Sequence, residues 1–161
     1  MKTSVSPLAR AGRQRRTDAL GQLMVAVFRV NGLLLAAGNH LVAPIGLTSA
    51  RWQVLGAIAL AGRPLAAPDV GAAMGISRQG AQKQLNALLA DDLVETWANP
   101  QHERSPLYAL TAAGRRAFER AMERHEGWVA TLAAGLKRTE IDAALSTLLL
   151  LAERIEASKA L

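Results

Sequence analysis

The chain has 161 residues, half of them hydrophobic, with six aromatic side chains and no cysteine. That length fits one domain, or one compact module with an appended oligomerisation part, and the absence of cysteine excludes disulfides and thiol redox switching. The net charge of +6 and the isoelectric point near 10.7 favour a polyanionic partner, either nucleic acid or an anionic membrane surface. Five of the bases (Lys2, Arg10, Arg13, Arg15, Arg16) lie in residues 1–16 without an acid, so the rest of the chain is close to neutral.

Residues 1–16 read as a disordered basic tail, either solvated or lying on DNA phosphates. From Asp18 to about Val42 one long helix is predicted, with Leu20, Leu23, Met24, Val27, Phe28, Leu34, Leu35 and Leu41 supplying apolar faces. Arg29, Asn31, Gly32 and Asn39-His40 interrupt it before the roughly 20 clean apolar residues a membrane span requires, so no membrane is expected and the compartment is read as cytoplasmic. A helix apolar on several sides that does not span is buried against a partner chain. Pro44 and Gly46 end it.

Thr48 is expected to cap a helix running to about Ala61, with Trp52, Leu55, Ile58 and Ala59 facing inward and Gly62 as the stop. Arg63-Pro64-Leu65 forms a linker with room for a residue or two of strand. Pro68 and Asp69 open the next helix, packed by Val70 and Met74. Gly75, Ile76 and Ser77 then supply a left-handed stop, a residue turning into the core and a helix cap, the succession a helix-turn-helix needs.

The second helix of that pair is predicted from Arg78 to Asp91. Ala81, Leu85, Leu88 and Leu89 fall in one apolar arc, Gln79, Lys83 and Asn86 lie opposite, Arg78 and Gln82 flank them, and Gly80 would let backbone approach a phosphate. No acid precedes Asp91. Gln and Asn can pair bidentately with adenine, and Arg or Lys with guanine. A solvated surface helix would carry the same residues, so the hairpin C-terminal to it weighs heavily. Val94–Trp97 and Leu107–Leu110 read as strands around the polar turn from Asn99 to Pro106, which makes a β-hairpin wing after a recognition helix.

Thr111 is expected to cap a helix to about Ala134, where Phe118, Met122, His125, Val129 and Leu132 recur at 4-3-4-3 spacing beside Trp128. Thr139 with Asp142 resembles a capping box opening a last helix to about Ala157, on which Ile141, Leu145, Leu148, Ala152 and Ile155 keep heptad-like spacing and Leu149, Leu150 and Leu151 widen the apolar surface. Such a surface has to be covered, by a second copy or within an intramolecular bundle.

In order and spacing, Leu47-Thr48, Gly75-Ile76-Ser77-Arg78, Leu93-Val94, Asn99-Pro100, Arg104 and Leu110-Thr111-Ala112-Ala113-Gly114-Arg115 resemble the MarR-type (multiple antibiotic resistance regulator) winged helix-turn-helix proteins, from about Thr17 to the C-terminus. The resemblance implies a mainly α (α+β) fold with a dimerisation helix over 17–46, a DNA-binding domain over 47–111 and dimerisation helices over 112–161. It implies a homodimeric transcriptional regulator on a pseudo-palindromic stretch of double-stranded DNA. Ser77, Arg78, Gln79, Gln82 and Lys83 would lie at the major groove and Arg104 at the minor groove. His40, Arg51 and Trp52 are candidates for a small aromatic effector pocket, although each also suits a core or interface.

One departure concerns the wing. The family usually has Asp two residues before the wing arginine, and this chain has His102 there. Glu103 could take over the bracing of Arg104, the wing could be looser, or a protonated His102 could itself touch the DNA backbone. The histidines His40, His102 and His125 lie far apart, Asp91-Asp92 is the one acid pair, and no phosphate loop or dinucleotide fingerprint occurs, so no metal, cofactor or catalysis is expected. Non-specific DNA packaging, or a protein-interaction module that has lost DNA reading, remain the competing classes.

Overall fold

The computed structural model describes residues 7–158. Helix α1 (Pro7–Val42) passes through a short 3₁₀ turn (Ala43–Ile45) to α2 (Ser49–Ala61), followed by β1 (Leu65–Ala66), α3 (Ala67–Met74), α4 (Arg78–Ala90), β2 (Val94–Trp97), β3 (Leu107–Leu110), α5 (Ala112–Ala133) and α6 (Arg138–Ser158). The three strands form one antiparallel sheet in the order β1-β3-β2, with Leu65 opposite Tyr108 and Thr96 opposite Tyr108 from the other side. Contacts divide the chain into two units, residues 1–124 and 125–161.

The start of α1 corrects the sequence reading. Residues 1–6 of the expected tail lie outside the described residues, but the helix already begins at Pro7 rather than near Asp18. Proline suits a first helical turn, and the Ala, Arg and Gln residues that follow are strong helix formers that outweigh Gly12. Gln14 Nε2 donates to Asp18 Oδ1 one turn on at 2.9 Å. The other end falls where expected, with Gly46 in the left-handed region at φ 78°. Contrary to the expected interruption by Arg29 and Asn31, the stretch Gln14–Ile45 is long and apolar enough to cross a membrane by length and composition alone. A face that a partner helix covers meets the same description, and Val25, Phe28, Leu33 and Leu34 are all exposed on it.

In the first unit the core forms around α2. Thr48 Oγ1 accepts from Arg51 N at 3.3 Å to cap it, and Gly62 ends it at φ 63°. Val54, Leu55, Gly56, Ala57 and Ile58 are buried in succession, so the helix is enclosed on more sides than the predicted stripe of Trp52, Leu55, Ile58 and Ala59. The cause is its position: α1, α3, α4 and β3 all pack against it. Trp52 and Ala59 are only half-buried. Val42, Leu47, Leu65, Ala67, Val70, Ala81, Leu85, Leu88, Val94, Tyr108, Ala117 and Ala121 complete this core.

A tight joint connects the wing to α5. Thr111 Oγ1 donates to Asp92 O at 2.7 Å and accepts from Gly114 N at 3.0 Å, while Thr111 N donates to Leu93 O at 3.2 Å. The first turn of α5 is thus seated on the turn after α4, where Asp92 takes φ 55°. This closeness requires Gly114, because a Cβ there would fall on the Leu93 carbonyl oxygen.

In the second unit Gly135 stops α5 at φ 84°. Helix α6 starts one residue earlier than the predicted Thr139 cap. Lys137 N donates to Glu140 Oε2 at 3.2 Å, so Glu140 provides the returning half of a capping box, and Asp142 pairs instead with Arg138 Nε at 3.0 Å. Ile141, Leu145, Leu148, Leu149, Leu150 and Ile155 are exposed along α6.

Gly114→Ala is expected to destabilise the first unit by on the order of 1–3 kcal/mol, the usual cost of overpacking, measured by denaturant unfolding of wild type and variant. An unchanged unfolding midpoint would show that the joint at Leu93 can yield.

Candidate nucleic-acid interface

The interface begins with a crossing that only glycine allows. Gly75 ends α3 at φ 64°, and Ile76 N then donates to Gly71 O at 3.0 Å. A Cβ on Gly71 would stand 2.9 Å from Ile76 O, so the turn lies directly against α3. Ile76 does not enter the core as expected: it is 39% exposed, and its backbone rather than its side chain closes the turn. Ser77 is the cap, its Oγ accepting from Gly80 N at 3.0 Å. The same bond turns Gly80 toward Ser77, 3.3 Å from Oγ at its Cβ position, so it is half-buried and does not offer bare backbone to a phosphate.

Ala81, Leu85 and Leu88 bury α4 against the core. Leu89, predicted inward, is 38% exposed, because Leu88 takes the central position and the helix ends at Ala90. Arg78, Gln79, Lys83 and Asn86 are exposed, α4 contains no acid, and its open N-terminal end carries the positive end of the helix dipole. Gln82 differs from its expected presentation. It is half-buried, and its Nε2 donates to Asn86 Oδ1 at 2.8 Å and to Tyr108 Oη at 2.7 Å. A glutamine with both amide hydrogens engaged cannot pair bidentately with adenine.

The wing loop is shaped by Asn99, which the sequence marks only as part of a motif. Asn99 Nδ2 donates across the loop to Ser105 O at 2.8 Å, its Oδ1 accepts from Gln101 N at 3.1 Å, and its carbonyl accepts from His102 N at 3.2 Å. The signal is the Asn-Pro pair, since an asparagine side chain readily mimics a turn of backbone. Arg104 stands exposed in this loop and, among the described residues, has no carboxylate partner, so Glu103 does not brace it. Behind the loop an open cleft of about 550 Å³ separates Asn99, Gln101 and His102 from Arg63 and Asp69.

The three candidate effector residues have different surroundings. His40 is exposed on α1, and Arg51 Nη1 pairs with Asp91 Oδ2 at 2.7 Å, joining α2 to the end of α4. Trp52 lines an apolar cavity of about 220 Å³ with Gly56, Met74, Phe118 and Met122, of which the sequence reading assigns Met74 to one packing seam and Phe118 and Met122 to another.

A sequence model of the MarR family matches residues 45–105, from the turn after α1 to the wing. A solved MarR family transcription regulator is similar in structure over 92% of this chain and 97% of its own, with a TM-score of 0.74 at 26% identity. The chain belongs to the MarR family. This MarR protein is also 38% identical to an uncharacterised protein of Mycobacterium tuberculosis over 108 residues, 67% of this chain and 74% of that one. It is similar as well to CouR from Rhodococcus jostii RHA1, solved with p-coumaroyl-CoA bound, at 25% identity over 81% of this chain and 91% of that one, with a TM-score of 0.70. The helix-turn-helix, the three-stranded sheet and the long flanking helices are therefore those of a MarR-family transcription regulator.

Ser77→Ala should cost about 1 kcal/mol through loss of the cap, read as a lowered melting temperature. No change in melting would mean that another group satisfies the Gly80 N–H.

Proposed function

We propose that this MarR protein is a sequence-specific DNA-binding transcriptional regulator that acts as a homodimer on a pseudo-palindromic operator. The observation that carries the reading is the exposed, acid-free face of α4, with Arg78, Gln79 and Lys83 at its capped end, beside a wing whose Arg104 is unpaired among the described residues. A helix N-terminus in the major groove and a basic wing in the minor groove divide the work: the first reads base edges and the second holds the backbone in register. Two copies would place two such helices about 34 Å apart, one turn of duplex. The apolar faces left exposed on α1 and on α6 support a second copy as their cover.

Control by a small aromatic or phenolic ligand extends this reading, with DNA binding as repression and ligand binding as release in the cytoplasm. The p-coumaroyl-CoA bound to CouR supports a ligand of that class. In this chain the apolar cavity beside Trp52 suits a ring better than the three residues singled out from the sequence, because Arg51 is occupied by Asp91. The near-neutral charge outside residues 1–16 speaks against packaging of DNA by charge alone.

Fluorescence anisotropy with the gene's own upstream region and with shuffled duplex of equal length, at two salt concentrations, tests the reading. Tight, salt-sensitive binding that prefers the upstream region is expected; equal binding to both, or none at low salt, would refute it. Arg104→Ala is expected to weaken binding to every duplex with little change in base preference. Normal affinity in that variant would remove the wing from the interface.

A further inference from the structure

Tyr108 is the single tyrosine of the chain and, among the described residues, the one aromatic side chain buried in the core, 3% exposed at the centre of the sheet between Leu65 and Thr96. An apolar ring would fill that place equally well. What distinguishes tyrosine is a hydroxyl that emerges against α4 and accepts from Gln82 Nε2 at 2.7 Å. The same nitrogen donates to Asn86 Oδ1 at 2.8 Å, so one amide group is held at both hydrogens by two partners from different elements.

This arrangement determines what is left over. A free glutamine offers a donor and an acceptor and can turn its amide over to suit either order. Held by Tyr108 and Asn86, Gln82 retains only Oε1, an acceptor. Asn86 has given its oxygen to Gln82 and retains its NH₂, a donor, on an exposed side chain one turn further along α4. In the major groove an acceptor meets the amino group of adenine or cytosine, and a donor meets purine N7, guanine O6 or thymine O4.

We infer that Tyr108 is a specificity-determining positioning residue: from the wing strand β3 its hydroxyl locks the Gln82–Asn86 pair into opposite senses, an acceptor at 82 and a donor at 86 as bonded here. The inference rests on the DNA-reading role proposed above. It separates stabilisation of the sheet, which the ring provides, from base preference, which the hydroxyl controls.

The test is selection from a randomised duplex pool followed by sequencing, with wild type, Tyr108→Phe and Gln82→Ala, alongside melting temperature and affinity for random duplex. Wild type is expected to enrich adenine or cytosine at one position of each half-site; guanine or thymine there instead would overturn the assigned sense of the pair. Tyr108→Phe should lower that discrimination by about 5- to 10-fold, the size of one well-made base contact, with melting temperature and random-duplex affinity near wild type. Gln82→Ala should broaden the same position, and the double variant should broaden it no further. A Tyr108→Phe profile identical to wild type would overturn the inference, as would an equal loss of affinity for all duplexes with the profile preserved. A wild type that enriches nothing would refute DNA reading itself, a failure distinct from that of the tyrosine.

Discussion

Enclosure of α2 is the constraint on which the first unit depends. Five successive residues, Val54 to Ile58, are buried, and the small Gly56 and Ala57 among them let neighbouring elements approach from several directions. Helices α1, α3 and α4 and strand β3 all use this access. Helix α4 is therefore fixed by its buried side, through Ala81, Leu85 and Leu88, and its outward side is left free of packing duties. Chemistry on that outward side can vary without disturbing the fold, provided the inner three positions are kept.

Two close backbone approaches set the angles between elements. At Gly71 the turn before α4 lies against α3, and at Gly114 the start of α5 lies against the carbonyl of Leu93. Both place main chain where a methyl group would otherwise stand. Because interiors are packed without slack, such approaches transmit position: a shift of α5 moves Leu93 and with it the base of the wing. The Arg51–Asp91 pair adds a third tie, from α2 to the end of α4, though with its carboxylate nearly half exposed it contributes little to stability.

Most of the architecture is legible in the sequence because it is written in local signals. Gly46, Gly62 and Gly75 end helices in the left-handed region, Thr48, Ser77 and Thr111 cap the next ones, and the alternation around Asn99-Pro100 marks a hairpin. Sequence misleads where a second element decides between equal local choices. Whether Arg-rich sequence is a tail or the first turns of α1 depends on what continues it, and the return bond from Glu140 to Lys137 N opens α6 ahead of the Thr139–Asp142 pair, although Lys137 has no side-chain acceptor to mark it as a cap. The site is legible by face but not by hydrogen bond. A helical wheel puts Gln82 on the flank of α4; it cannot show that Tyr108, 26 residues away, takes one of its hydrogens. Likewise Arg51 and Trp52 are adjacent in sequence yet face different neighbours, an acid and an apolar cavity, as successive helical residues must.

The loop braced by Asn99 has a kinetic meaning. Ordering a free loop on contact costs about 1–2 kcal/mol for each residue fixed, and encounters that require such ordering are slowed. Here the asparagine has closed the loop at both ends before any contact is made, so Arg104 has only its own rotamers to surrender. In the DNA-binding role proposed above, a wing built in this way would speed capture of a passing groove and leave the lifetime of the complex to be decided at α4.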